Sequence, residues 1–157
     1  MTRVFNLFDS ELSPDPDTPP GHRFNATSLT RDVGARFTGL GVYELPSGEA
    51  GWPYHFELNE EEWVVVVSGE VVLRTPRGEE TLKAGDVVCF PVGADGAHAL
   101  RNESEAPARF ALLSAFAPGG AVAVYPDSNK VFVSGRRFGF SRRMYIGAEV
   151  PYWEGEP

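Results

Sequence analysis

Residues 55–69 read HFELNEEEWVVVVSG, and this stretch decides the fold. Trp63–Val67 is apolar at every position, whereas a half-exposed strand alternates, so this strand is expected to be covered on both sides. One cover is a barrel interior; the other is a second sheet, a terminal segment or a second subunit. His55 and Glu57 stand two apart and so point to the same face of a strand, and Glu62 opens the next strand, where it can come opposite them. Outward from here, strand-like runs cover Phe37–Leu45, Pro53–Glu57, Trp63–Ser68, Glu70–Thr75, Glu80–Lys83, Val87–Pro91, Ala97–Arg101 and Arg109–Phe116. Pro46-Ser47-Gly48, Pro76-Arg77-Gly78, Ala84-Gly85-Asp86 and Gly93–Gly96 separate them with turn formers. Many short strands at close spacing predict an all-β antiparallel sandwich or barrel.

The second informative stretch, residues 85–102, reads GDVVCFPVGADGAHALRN and carries Gly85, Pro91, Gly93, His98 and Asn102. Around both stretches the chain has 157 residues, enough for one domain with its own core. Residues 1–22, rich in Pro and Asp, read as an extended N-terminal arm, residues 23–117 as the barrel, and residues 118–157 as a C-terminal tail packed on it. The formal charge of −8 argues against nucleic acid or an anionic membrane as partner. A lone cysteine, Cys89, excludes an internal disulfide and CxxC metal motifs, and reads as an inert buried thiol. With no stretch that reads as a secretory signal or a membrane helix, a cytoplasmic location is expected by elimination.

The two stretches together resemble the cupin motifs G-x5-H-x-H-x(3,4)-E-x6-G and G-x5-P-x-G-x2-H-x3-N. Residues 55–69 match the first as H-x-E-x4-E-x6-G, and residues 85–102 match the second with two additional residues before His98. PYHFE, VYPDSNKV and YWEGE extend the likeness towards a bacterial cupin subgroup. The resemblance implies a double-stranded β-helix, or jelly-roll barrel, and by family habit a homodimer. It also implies one divalent metal ion held by His55, Glu62 and His98. Glu57 stands where the family's second histidine stands, and the Glu62-x6-Gly69 spacing selects Glu62 over Glu61.

Two imidazoles and a carboxylate form a set that suits non-haem Fe(II); with Glu57 as a fourth ligand, preference moves towards Mn²⁺ or Fe²⁺, while Zn²⁺ and Ni²⁺ stay open. The alternative is a barrel that has lost its metal, with Glu57 solvated or binding a ligand. The function implied is a metal-dependent enzyme of oxygenase, isomerase or lyase type acting on a small polar organic molecule. Its rival is a non-catalytic cupin that binds a small, sugar-like ligand or regulates. Trp52 and Tyr54 are the candidate pocket contacts, although Tyr54 alternates with His55. His22 reads as exposed, Glu60 and Glu61 as a solvated turn, and Phe90 as ordinary packing. The basic residues Lys130, Arg136, Arg137, Arg142 and Arg143 read first as salt-bridge formers and second as an anion site.

Overall fold

Strand alternation carries the chain almost without helix, because turn formers recur before any helical period can establish itself. A computed structural model describes residues 4–135 and 139–155. The strands are β1 (Ser13–Pro14), β2 (Asn25–Ser28), β3 (Thr38–Leu45), β4 (Phe56–Glu57), β5 (Glu62–Ser68), β6 (Glu70–Thr75) and β7 (Gly78–Lys83). They continue with β8 (Val87–Phe90), β9 (Ala99–Arg101), β10 (Ala108–Ala115), β11 (Ala121–Tyr125), β12 (Lys130–Gly135) and β13 (Phe140–Tyr145). One helical turn, α1 (Thr30–Val33), precedes β3. No described helix is long and apolar enough to cross a membrane.

One wall is a six-stranded sheet in the order β1-β2-β3-β10-β5-β8. The opposing wall consists of a four-stranded sheet, β13-β12-β11-β4, and a three-stranded sheet, β7-β6-β9. An antiparallel bridge between His55 and His98 joins these two pieces. Its two backbone bonds are His55 N–H to the His98 carbonyl at 3.1 Å and His98 N–H to the His55 carbonyl at 2.8 Å.

Between the walls lies the core of Leu45, Val64, Val66, Val71, Leu73, Phe90, Leu100, Phe110 and Leu112. The β5 to β6 turn needs glycine: Gly69 has φ +74°, and a Cβ there would meet the Pro107 carbonyl oxygen at 2.8 Å. Asn102 is buried and closes the end of β9: its amide donates to the carbonyls of Leu45 and Ala106 at 2.9 and 2.8 Å. Its side-chain oxygen accepts from the Ser104 N–H at 2.9 Å.

On β5 the even positions face inward and the odd ones outward. Val42 and Ala111, also on the outer side, are fully covered, but Trp63 is 43% exposed, Val87 56% and Leu113 37%. Trp63 pairs in register with Leu113 and Cys89, and Val65 with Val87, so these side chains form one apolar surface. The two-sided cover expected for β5 is therefore complete on the inside and partial on the outside within one chain.

The N-terminal segment lies against the six-stranded wall. β1 pairs with β2, and the Arg109 guanidinium donates to the carbonyls of Leu7 and Phe8. Two surface readings change. His22 is half-buried, with Nδ1 2.7 Å from the Gly51 carbonyl oxygen, because the arm folds back rather than extending into solvent. Glu60 is buried and accepts from the Ala117 N–H at 3.2 Å, so it ties the turn before β5 to the end of β10. Arg136 and Arg137 lie outside the described residues.

Candidate metal centre

The His55–His98 bridge sets both imidazoles side by side on the inner face of one wall, their ring centroids 4.7 Å apart. Each ring is fixed by a backbone carbonyl two residues before it: His55 Nδ1 lies 2.9 Å from the Pro53 oxygen, and His98 Nδ1 lies 2.9 Å from the Gly96 oxygen. A carbonyl oxygen only accepts, so Nδ1 carries the proton in both rings and Nε2 is the atom left to act. The loop that presents the Gly96 carbonyl depends on glycine: a Cβ at Gly96 would lie 1.8 Å from the Pro91 oxygen. That loop accommodates the two residues added to the second motif. Phe90 stacks on His98 at 3.6 Å with the planes 6° apart, closing the apolar side of the ring.

Glu62 arrives from the opposite wall. It shares a cross-strand row with Ser114 on β10 and Phe90 on β8. Ser114 donates to Glu62 Oε1 at 3.0 Å, which leaves Oε2 aimed at the histidines. The distances from Oε2 are 3.7 Å to His55 Nε2 and 3.5 Å to His98 Nε2, beyond good hydrogen-bond range. Ligand atoms of His55, Glu62 and His98 all lie within 4.8 Å of one another, and this trio could hold an ion.

The electrostatics separate the two rings. Burial, reinforced by neighbouring His55, pushes the His98 pKa down to about 4, so His98 is neutral at physiological pH. Burial pushes His55 the same way, but the Glu62 carboxylate outweighs it and holds the His55 pKa above its ordinary value. Burial would raise Glu62, yet the two histidines and Ser114 together hold its pKa below the usual carboxylate range. Neutral His98 thus presents the Nε2 lone pair to an ionised carboxylate oxygen, and neither His98 Nε2 nor Glu62 Oε2 has a hydrogen-bond partner. Two buried acceptors facing each other repel unless a cation lies between them, so these residues fit a divalent ion.

Of the four ligands expected from sequence, the structure gathers three. Glu57 points to the same face as His55 but its carboxylate lies outside the 4.8 Å group; its charge is felt by both His55 and Tyr125. Trp52 packs among Tyr43, Phe24 and Phe110, with its ring 4.7 Å from that of Tyr43. Tyr54 faces outward beneath the Arg74 guanidinium, 3.9 Å above its ring. Both line a cavity of about 490 Å³, together with Arg74, Arg101 and Lys130.

Two neighbours of the trio, Tyr125 and Ser114, escaped sequence reasoning, and a third, Phe90, was expected only to pack. Tyr125 stacks on His55 at 5.6 Å, Phe90 covers His98, and Ser114 orients Glu62. The AVAVY pattern of β11 held a usable signal, because Ala121, Ala123 and Tyr125 share one face.

The family model described as "Cupin domain" matches residues 41–116. A sugar phosphate isomerase of Silicibacter pomeroyi is similar in structure, with TM-score 0.79, 21% identity, and coverage of 96% of this chain and 98% of that one. An Acidithiobacillus ferrooxidans protein provisionally described as a sugar phosphate isomerase gives TM-score 0.78 and 23% identity over 92% of this chain and 93% of that one. The polyketide cyclase RemF of Streptomyces resistomycificus gives TM-score 0.58 and 22% identity over 73% and 80%. No match was found among curated proteins.

Proposed function

Because the chain belongs to the cupin superfamily, we propose that it is a metal-dependent enzyme acting on a small polar organic molecule, with one divalent ion held by His55, Glu62 and His98. The observation that carries this reading is the pair of facing buried acceptors, His98 Nε2 and Glu62 Oε2, 3.5 Å apart. A bound ion would supply Lewis-acid polarisation of a carbonyl or a more acidic water. The protein's own residues define the rest. Ser114 fixes the Glu62 carboxylate, the Pro53 and Gly96 carbonyls fix both imidazoles, and Phe90 keeps water from one side of His98.

Of the oxygenase, isomerase and lyase classes, isomerisation is best supported. Tyr125 and Glu57 place two proton-carrying groups beside the cluster, and two similar structures bear isomerase names. A second reading, non-catalytic binding of a sugar-like ligand, is favoured by the 490 Å³ cavity with Trp52 and Tyr54 on its wall. Assembly as a homodimer belongs to the same proposal, with a second copy covering Trp63, Val87 and Leu113 on the outer wall. Light scattering should then give twice the chain mass, and a monomer for Trp63→Glu; a monomeric wild type overturns the dimer.

The decisive measurement is elemental analysis of untagged protein. Near-stoichiometric Mn, Fe, Ni or Zn that disappears in His55→Ala, His98→Ala is expected. Trace metal that the double substitution leaves unchanged overturns metal binding. Deuterium uptake from D₂O into a substrate without oxygen consumption would separate isomerase from oxygenase chemistry.

A further inference from the structure

Register on the four-stranded sheet determines which of the tail's basic residues share a face with the cluster. Ala123 pairs with Glu57 on one side and with Phe132 on the other, and Phe132 pairs with Arg143. Directly opposed residues point to the same face, so Glu57, Ala123, Phe132 and Arg143 form one row across the sheet. The next row holds Tyr125, Lys130 and Tyr145. Burial of Ala121 and Ala123 identifies this face as the inner one, and the Tyr125 ring lies on His55.

We propose that Lys130 and Arg143 form a shelf on the Tyr125 side of the His55–Glu62–His98 cluster that binds an oxyanion, so that the molecule reaching this cluster carries a phosphate or carboxylate group. The inference rests on the reading of that cluster as the active site and names the class of molecule it takes. Lys130 Nζ lies 5.6 Å from the centre of the Tyr125 ring, and the Arg143 guanidinium 4.6 Å from that of Phe132. The two cations are diagonal neighbours on adjacent strands, about 7–8 Å apart at their origins, within reach of one anion for side chains of this length. Among the described residues neither makes an ion pair, whereas Arg74, Arg101 and Arg109 each hold a carboxylate. Two cations without carboxylate partners, in a chain of formal charge −8 and on the face that carries Tyr125, are placed for recognition rather than for stability. Arg142 supplies the contrast: it pairs with Val133 on the outer face and donates to the Ser141 carbonyl at 2.8 Å.

The test is calorimetric titration of the full chain, carrying the metal it is purified with, using inorganic phosphate and malonate in separate experiments. Wild type and Arg142→Gln should bind at least one of the two, and Lys130→Gln, Arg143→Gln should bind it about tenfold or more weakly. Tighter binding of phosphate names a phosphate ester, and tighter binding of malonate a carboxylate. Arg143→Lys should keep most of the affinity, which separates lost charge from lost structure. Binding of neither anion by wild type, or undiminished binding by the double variant, overturns the shelf. Elemental analysis of the same samples separates the two readings. Metal-free protein whose anion binding still needs Lys130 and Arg143 keeps the shelf and loses the metal; metal-bearing protein indifferent to both substitutions does the reverse.

Discussion

Strands β5 and β13 each bring a charged side chain to the inner face, under opposite conditions. The Glu62 side chain on β5 is 12% exposed, held by Ser114 and flanked by two imidazoles. β13 is exposed along its whole length, and Arg143 is held by the Phe132 ring and a hydrogen bond to Tyr125. A group buried like Glu62 must be matched by fixed partners, because a buried charge without them is costly. Arg143, solvent-exposed, meets no such demand and can adjust to a ligand while it stays near Tyr125. Rigid ligation from the barrel and adaptable recognition from the tail sheet are the division of labour this suggests.

The sharpest way to break the comparison is to remove one carboxylate from each row. Glu62→Ala should abolish bound metal, because it deletes the only carboxylate within the 4.8 Å trio. Glu57→Gln should leave metal content close to wild type and weaken affinity by about tenfold, the lower end of what loss of a residue outside the ligand set costs. Equal losses on elemental analysis would place Glu57 among the ligands and join the two rows into one site.

Packing gives the next largest contrast. Phe110 is fully buried at the centre of the barrel, so Phe110→Ala should cost about 4 kcal/mol in denaturant unfolding. Phe132 is half-buried on the tail sheet, and Phe132→Ala should cost about 1 kcal/mol. Similar costs would mean that the tail sheet is as integral to the core as β10.

The same difference explains what the sequence disclosed. Strands from β3 to β10, except β4, which begins at Phe56 and not at Pro53, were legible within a residue or two because glycine and proline punctuate them and burial imposes alternation, as at Val64 and Val66. His55, Glu62 and His98 were legible from fixed spacings, which a two-residue period converts into a shared face. Tyr125, Ser114 and the inward turn of Arg143 were not. Each depends on which strand lies beside which, a long-range pairing that no local spacing encodes. The buried state of Glu60 was hidden for a related reason, since its partner is the Ala117 N–H far along the chain.

The smallest expected effect concerns the tie between the two regions. Arg74 on β6 donates to both oxygens of Asp127, in the turn between β11 and β12, at 2.5 and 3.0 Å. The side chains are 41% and 51% exposed, so the pair should contribute no more than about 1 kcal/mol, and less in high salt. Hydrogen bonding to Arg74 holds the Asp127 carboxyl below its ordinary range. A carboxyl with a depressed folded-state pKa stabilises the fold fully above the unfolded pKa of about 3.9, and that contribution fades as pH falls through the folded value. Asp127→Asn should therefore melt slightly below wild type near neutral pH, with the gap closing on acidification below about pH 4. A gap that persists unchanged at acidic pH would show that the tie is not ionic, and that shape rather than charge holds the tail sheet against the barrel.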